Sequence, residues 1–439
     1  MTGMDPSAAT AVAQETAFSH QTEQVLVLLL VQLVVILGAA RLLGALFRRL
    51  GHAQAMGEIF AGIVLGPSLF GWLFPDAFHT LFPSDGPKVL PYFSHLGLVL
   101  ALFLIGMEFD FREVPRYART VGVIAFSTLA APIAAAAALA PWVGASLGEG
   151  ADNPAFALFF GLALAVTAIP IMGRVLIETG LSTSRVGVLA LTTGALKDLV
   201  TWFLLIVAIG IAQPPLDPVR VAGTIFAVLL LGIAALTVGR RALGALISRL
   251  APDGELNGHV VAVALAWCFG LAATTSALGV FAIFGAFLAG VAISFDRGLA
   301  TRLSERLHDL TIYMFLPIFF TSTGLKTHLA DLDGERLMWV AAITLVGSAA
   351  SGGVAALTAR ALKLSVPESA AMGVLVNTPG LMVLILLNVG SDVGVFSSGM
   401  FAVMMANAML RNLLVTPALR RLQRAGLPEM SEFRVERGL

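Results

Sequence analysis

The chain has 439 residues, of which 58% are hydrophobic and only 12% are charged, against roughly a quarter charged in ordinary soluble domains. Basic and acidic side chains number 27 each, so the formal net charge is zero and nucleic acid is not an expected partner. The single cysteine, Cys268, excludes an intrachain disulfide and a cysteine-rich metal centre. The composition predicts an all-α integral membrane protein that lies in a lipid bilayer.

The apolar segments begin after a leader of 23 residues. This leader carries Asp5, Glu15 and Glu23 with no basic segment, which does not fit a cleaved signal peptide. A spanning helix needs about 20 mostly apolar residues, and thirteen such segments are predicted. In chain order they cover approximately 24–47, 57–73, 91–107, 120–144, 155–176, 187–212, 219–239, 258–275, 277–294, 310–325, 336–360, 367–389 and 396–418.

Basic residues collect in alternate loops along the whole chain. Loops with clusters such as Arg240, Arg241 and Arg249 alternate with loops that hold acidic residues such as Asp331 and Asp333. Cytoplasmic loops of membrane proteins gather lysine and arginine. The alternation therefore predicts an odd number of spans in the cell (inner) membrane, with the N-terminus outside and the C-terminus in the cytoplasm.

The fifth and twelfth predicted spans each contain proline beside small polar residues near mid-depth. The fifth holds Thr167 and Pro170, and the twelfth holds Asn377 and Pro379. Proline frees backbone groups that hydrocarbon cannot satisfy. The two spans are seven apart and cross in opposite directions, so matched breaks predict an inverted-repeat secondary transporter with its site at the midplane. Thr167 and Asn377 should approach each other there; the alternative is two ordinary proline kinks.

The sixth predicted span carries two adjacent charges, Lys197 and Asp198. Counted from Gly187, Asp198 lies roughly 16 Å along the helix at 1.5 Å per residue, about the midplane of the bilayer. Ionisable residues at this depth are costly and mark functional sites by default. An ion pair that only packs the helices is the alternative, although adjacent helix positions do not face each other.

Six stretches carry distinctive motifs. They read GEIFAGIVLGPS (57–68), LFLIGMEFD (102–110), TAIPIMGR (167–174), FLAGVA (287–292), LPIFFTSTGLKT (316–327) and NTPGLMVLILLNVG (377–390). In these stretches the chain resembles the second monovalent cation:proton antiporter family of the sodium/proton exchanger superfamily. The likeness covers nearly all thirteen spans. It implies the sodium/proton antiporter fold, an inverted repeat with two crossed discontinuous helices.

The resemblance also implies a division of the chain and a homodimer. Scaffold and dimerisation helices would occupy 24–118 and 251–330, moving core helices 119–213 and 331–419, and a linker helix 214–250. Residues 1–23 would form an extracytoplasmic leader and 420–439 a cytoplasmic tail.

The function that the resemblance implies is antiport of a monovalent cation, Na+ or K+, against protons by alternating access. Asp198 would bind either the cation or a proton, and Thr167 with the carbonyls freed beside Pro170 would complete the oxygen shell. The other candidate residues of this ion and proton site are Lys197, Ser348, Asn377 and Thr378, with Pro170 and Pro379 as the helix breaks. No cofactor is implied, and no metal beyond Na+ or K+ at Asp198.

The chain departs from the family pattern at its charged positions. Lys197 precedes Asp198 where the family ordinarily has Asp, Asn or Gln, and Ser348 stands where the eleventh span usually has lysine. Pro379 and Val383 replace an arginine and a glutamate of the twelfth span. Compared with the family pattern, spans eleven and twelve thus lack positive charge, and span six carries an additional one.

These departures keep two other hypotheses open. One is a membrane-embedded biosynthetic enzyme that reuses the antiporter scaffold, with Lys197 as nucleophile or base beside Asp198. No P-loop, HExxH or dinucleotide-binding motif points to a familiar enzyme. The other is transport of an organic or anionic substrate with Lys197 as its counter-ion. A transporter is the expectation rather than an enzyme.

Overall fold

The computed structural model describes residues 6–52, 54–83, 89–108, 114–150, 153–167, 169–178, 181, 184–212, 218–252, 255–328 and 332–424. This part of the chain holds twenty α-helices and no strand. In chain order they are α1 (Pro6–Arg49), α2 (Gln54–Leu65), α3 (Phe70–Leu73), α4 (Pro75–Leu81), α5 (Val89–Glu108), α6 (Val114–Leu147), α7 (Pro154–Ala165), α8 (Ile169–Glu178), α9 (Arg185–Ala212), α10 (Pro218–Ala234), α11 (Arg240–Leu250), α12 (Gly258–Ala277), α13 (Ala282–Ser294), α14 (Arg297–Leu310), α15 (Leu316–Leu325), α16 (Gly334–Ser348), α17 (Val354–Ala361), α18 (Val366–Val376), α19 (Leu381–Asp392) and α20 (Ser398–Arg424). The ends of the predicted leader and tail, 1–5 and 425–439, lie outside the described residues.

Three pairs of helices are joined by single π-helical turns. These turns are Ala235–Gly239 between α10 and α11, Thr311–Phe315 between α14 and α15, and Ala349–Gly353 between α16 and α17. Such turns recur at functional sites, and the third lies beside the broken helices described below.

Nine helices in the described residues are long and apolar enough to cross a membrane. They are Thr22–Arg49, Met56–Leu73, Val89–Glu108, Tyr117–Leu147, Arg185–Ala212, Pro218–Leu250, Gly258–Ala277, Gly334–Ala361 and Ser398–Arg424. Shorter apolar helices cover Pro154–Ala165, Ala282–Ser294, Val366–Val376 and Met382–Asp392. The predicted all-α architecture is confirmed, whereas the number of thirteen spans stays a prediction.

Both predicted helix breaks are present. The fifth span divides into α7 and α8, where Val166 adopts an extended conformation after α7. The twelfth divides into α18 and α19, with extended backbone at Gly380. Pro170 is the second residue of α8, a position at which proline is tolerated because its missing N–H has no helical partner. It therefore begins a half-helix rather than kinking a continuous one.

One group of helices, α1, α2, α5 and α12–α15, packs backbone against backbone; we call it the glycine-packed bundle. A Cβ atom added at Gly62 would lie 2.2 Å from the carbonyl oxygen of Phe320, and one at Gly324 would lie 2.1 Å from that of Gly62. A Cβ atom added at Gly106 would lie 2.2 Å from the carbonyl oxygen of Phe287 and 3.0 Å from the Cα of Gly290. One added at Gly290 would lie 2.1 Å from the carbonyl oxygen of Phe103 and 2.9 Å from the Cα of Gly106. Helices in membranes associate through such small residues because lipid provides no hydrophobic drive.

These contacts pair the sequence motifs with one another. Gly62 of GEIFAGIVLGPS contacts the segment that contains Gly324 of LPIFFTSTGLKT, and Gly106 of LFLIGMEFD contacts Gly290 of FLAGVA. Four of the six motifs therefore form two pairs of packed surfaces. At the points of closest approach between the helices, only glycine fits.

The second group, α6–α9 and α16–α20, we call the crossing bundle. In it α6 packs on α7, α9 and α17, α18 packs on α9, α17 and α20, and α19 packs on α7 and α20. The two helix breaks thus lie side by side in the interior of this group. The division into a moving core, a scaffold and a linker stays a prediction.

The two bundles meet through α10 and through polar side chains of α15 and α19. Helix α10 packs on α9, and the π-helical turn that follows it packs on α13. The buried hydroxyl of Thr323 accepts a hydrogen bond from the Asn388 side chain (3.0 Å). About one turn further along, Lys326 and Asp392 form an exposed ion pair at 2.8 Å.

Candidate functional site

A chain of hydrogen bonds joins the sixth span to both broken helices. The Lys197 Nζ atom donates to the hydroxyl of Thr167 (3.0 Å), which donates to the carbonyl oxygen of Val376 (2.8 Å). Lys197 and Thr167 are fully buried. Because Val376 immediately precedes Asn377, the two breaks contact each other as expected, and the ammonium group lies where they meet.

Asp198 follows Lys197 in α9 and is partly exposed. Its Oδ1 atom is nevertheless buried and has no hydrogen-bond partner among the described residues. A buried carboxylate oxygen without a partner is costly, and such groups in native structures usually have a functional role. Asp198 therefore has free capacity to take a proton or a cation.

Gly194 places this part of α9 against the break of the fifth span. A Cβ atom added there would lie 3.3 Å from Ile169, 3.2 Å from Met172 and 3.9 Å from Thr167. Residues three and four apart share a helix face, so Lys197 and Asp198 follow Gly194 on the side that faces α8. A larger residue than glycine would push the charged pair away from the break.

A second set of hydrogen bonds is centred on Asn377, the C-terminal cap of α18. The Asn377 side-chain nitrogen donates to the hydroxyl of Ser348 (3.1 Å). Its side-chain oxygen accepts from Arg411, from Nε at 3.0 Å and from Nη2 at 2.6 Å. The third guanidinium bond, from Nη1, goes to the carbonyl oxygen of Leu164 in the last turn of α7 (3.2 Å). Asn377 and Ser348 thus lie together at the crossing.

The remaining predicted residues have local roles in the structure. The Thr378 hydroxyl, just beyond the end of α18, donates to the carbonyl oxygen of Val374 in the last turn of that helix (3.3 Å), so it satisfies a backbone group that the break releases. Pro379 is buried between α18 and α19. No hydrogen bond to the Lys197 set involves Thr378 in the described part of the chain, which leaves its role as an ion ligand a prediction.

Two residues at or beside the site were not singled out by the sequence analysis. Arg411 is among the largest fully buried side chains, and its signal was available: an arginine in the middle of the last apolar run is as costly as Asp198. Thr201 is fully buried, and its hydroxyl has no hydrogen-bond partner among the residues that the structure describes. Threonine is common in apolar helices, so no such signal marks Thr201 in the sequence.

The arrangement brings one carboxylate, one ammonium and one guanidinium group to the crossing of two broken helices. Half-helix ends offer unpaired carbonyl groups with partial negative charge, which suit cations. Charged side chains at the ends of crossed half-helices are the arrangement typical of ion sites in inverted-repeat transporters.

Comparison with known proteins identifies the family. The profile described as "Sodium/hydrogen exchanger, transmembrane" matches residues 18–421. The chain belongs to this family. Its relatives include the Na(+)/H(+) antiporter NhaS4 of Synechocystis sp., which is 32% identical over 89% of this chain and 96% of that protein. The predicted membership of the sodium/proton exchanger superfamily is confirmed.

Plant relatives are similar but longer. Cation/H(+) antiporter 17 of Arabidopsis thaliana is 32% identical over 410 residues, which are 92% of this chain and 49% of the plant protein. The chain therefore spans about half the length of these plant relatives. The matched residues cover most of this chain, as the family profile does.

A solved structure shows the same fold. The sodium proton antiporter MjNhaP1 of Methanocaldococcus jannaschii superposes with a TM-score of 0.63 over 91% of this chain and 98% of that chain, at 13% sequence identity. The sodium/proton antiporter fold of an integral membrane protein is thereby confirmed for this member of the exchanger family.

Proposed function

We propose that this protein exchanges a monovalent cation, Na+ or K+, for protons across the membrane, with Asp198 as the carboxylate that holds either one. The observation that supports this most directly is the buried Oδ1 atom of Asp198, which has no hydrogen-bond partner in the described part of the chain. The relatives named as cation/H(+) and Na(+)/H(+) antiporters support the same exchange, and favour it over an enzyme or an anion carrier.

The chemistry is a competition for one carboxylate. A proton and a cation cannot both neutralise Asp198, so loading one releases the other. Ligand oxygens for the cation would come from Thr167, from the carbonyl groups freed at the breaks and from Thr201, which is three residues from Asp198 on the same helix face. Lys197 donates to Thr167 and lies beside the carboxylate, where its positive charge opposes a bound cation.

Alternating access would follow from movement of the crossing bundle against the glycine-packed bundle. The backbone contacts of the glycine-packed bundle suit a fixed scaffold, and we propose that this bundle also forms a homodimer. The polar contacts between α15 and α19 would close one face. By the distribution of basic loops, the N-terminus would lie outside and the C-terminus in the cytoplasm, in the inner membrane.

The test is exchange by the purified protein in proteoliposomes, followed with an internal pH dye as Na+, K+, Li+ or Rb+ is added. Asp198→Asn should reduce exchange to the level of protein-free liposomes, because an amide cannot trade a proton for a cation. Asp309→Asn is the matched control, since that side chain is 81% exposed, and it should retain exchange. Persistent exchange by Asp198→Asn at equal folded protein would refute the assignment.

Lys197→Asn distinguishes cation exchange from the other hypotheses. If Asp198 carries a cation, removing the neighbouring positive charge should lower the cation concentration for half-maximal exchange by roughly tenfold, about 1.4 kcal/mol. If Lys197 is instead a nucleophile, a base or the partner of an anion, the same change should abolish activity. The first outcome is a gain in apparent cation affinity, and the second is a loss of activity.

A further inference from the structure

Arg411 lies in the middle of α20 with 1% of its surface exposed. Within the described residues, its guanidinium group makes three hydrogen bonds, all to neutral oxygens, namely the Leu164 carbonyl and the Asn377 side chain. A buried cation that has only neutral acceptors needs another source of electrostatic stabilisation, since burying a charge costs several kcal/mol. The residues around it identify that source.

Two half-helices end at the guanidinium group. Helix α7 ends at Ala165, so the Leu164 carbonyl belongs to its last turn, and Asn377 caps the C-terminus of α18. The last carbonyl groups of a helix lack helical partners and carry about half a negative charge in total. Two such ends face each other at the crossing, and Arg411 supplies the positive charge that they require.

The same residue fixes the geometry of the other contacts at the crossing. Arg411 holds Asn377 from one side, while Asn377 itself donates to Ser348. The adjacent Val376 carbonyl accepts from Thr167, which accepts from Lys197. A shift of Asn377 would therefore shift the backbone to which the Lys197 and Thr167 pair is attached.

We propose that Arg411 is a resident cation of the helix crossing, a positioning residue that occupies the half-helix ends so that the exchanged cation is confined to Asp198. The inference deepens the proposed function and rests on it. Spans eleven and twelve of this chain lack the basic residues of the family pattern. Arg411, in the last span, places a positive charge at the same helix crossing instead. The carbonyl of Leu164 and the amide oxygen of Asn377 are thereby withdrawn from the exchanged cation.

Chemical rescue tests this role. Arg411→Ala leaves a cavity that guanidinium ion can fill, whereas urea has the same shape without the charge. Low millimolar guanidinium, far below denaturing concentrations, should raise the thermal midpoint of Arg411→Ala and restore its exchange. Urea should do neither. Equal effects of the two compounds, or none from either, would overturn the proposal.

Two controls keep the result interpretable. Arg421→Ala removes an exposed arginine of the same helix and should show no response to guanidinium. Arg411→Lys keeps the charge, loses the forked contact, and should raise the cation concentration for half-maximal exchange more than it lowers the maximal rate. A residue that only fills space would change the thermal midpoint without this kinetic split. If Arg411→Ala does not fold, addition of guanidinium during purification of that variant should recover folded protein, and failure to do so counts against the proposal.

The thermal measurement separates this proposal from the proposed function. It needs no transport, so it tests the resident cation even if the wild-type protein exchanges none of the cations offered. Absence of exchange by the wild-type protein would refute cation antiport. Guanidinium-specific stabilisation of Arg411→Ala would still establish what Arg411 does.

Discussion

The two bundles are held together by different forces. At six glycines of the glycine-packed bundle the nearest backbone atom lies 2.1–2.3 Å from where a Cβ would stand, although at Gly97 of the same bundle it lies at 3.0 Å. The six are Gly57, Gly62, Gly106, Gly285, Gly290 and Gly324. In the crossing bundle the corresponding helix contacts are wider, 2.6–2.8 Å at Gly161, Gly352 and Gly373. Charged and polar side chains, above all Lys197 and Arg411, make the additional connections there.

The difference indicates which part can change shape. Backbone contacts with no side chain between them have one geometry, and any displacement loses dispersion contacts along the whole helix. Hydrogen bonds from long side chains can be exchanged for others at similar energy, one at a time. The glycine-packed bundle is therefore suited to be rigid, and the crossing bundle to hold a site that alternates between two states.

The largest expected effect comes from closing the space between α5 and α13. Gly290→Val would place side-chain atoms inside the backbone of Phe103, whose oxygen is 2.1 Å from the added Cβ. Overpacking at a site that cannot yield costs roughly 3 kcal/mol or more. We expect loss of the single folded species on gel filtration in detergent, and failure to accumulate in the membrane.

The control for this change is Gly270→Val in α12, where an added Cβ meets nothing within 4 Å. It should leave the folded fraction unchanged. Normal accumulation of Gly290→Val would show that the contact between α5 and α13 is not tight, and the contrast between the two bundles would disappear.

A smaller effect is expected in the crossing bundle from Thr201→Val, which removes a buried hydroxyl at nearly constant volume. If Thr201 is a cation ligand, the concentration for half-maximal exchange should rise roughly tenfold, about 1.4 kcal/mol, while thermal stability stays close to that of the wild type. Thr192→Val is the matched control, because the Thr192 hydroxyl already donates to the Val188 carbonyl (2.8 Å). Unchanged cation affinity in Thr201→Val would remove this residue from the site.

The smallest effect concerns the contact between the bundles at Lys326 and Asp392. The two side chains are 40% and 44% exposed, so their ion pair contributes at most about 1 kcal/mol, which corresponds to a change of roughly fivefold in a rate or population. Lys326→Glu should alter the initial exchange rate within that limit, and Asp392→Lys in the same molecule should reverse the change. If the effects of the two single substitutions on the initial exchange rate simply add in the double variant, the ion pair does not contribute to exchange.

Much of the site could be predicted because residues that are energetically unfavourable in a membrane helix can be recognised in the local sequence. Lys197 and Asp198 stand out since charges in an apolar run are expensive wherever the helix lies, and Pro170 and Pro379 stand out because proline removes a backbone donor. Arg411 satisfies the same criterion. It lies inside the predicted span 396–418, but the local pattern does not show that its side chain reaches both broken helices.

The amino-acid sequence by itself determined that the chain is a helical membrane protein and that two of its helices are broken beside proline, and it predicted that Asp198 lies at mid-depth. These properties depend on composition and on the fixed rise of an α-helix. Only the tertiary structure decided that Gly106 meets Gly290, that Thr167 bonds Val376 and that Arg411 reaches the end of α7. Each of these pairs is separated by more than 180 residues, and its contact depends on how whole helices cross, which no local pattern records.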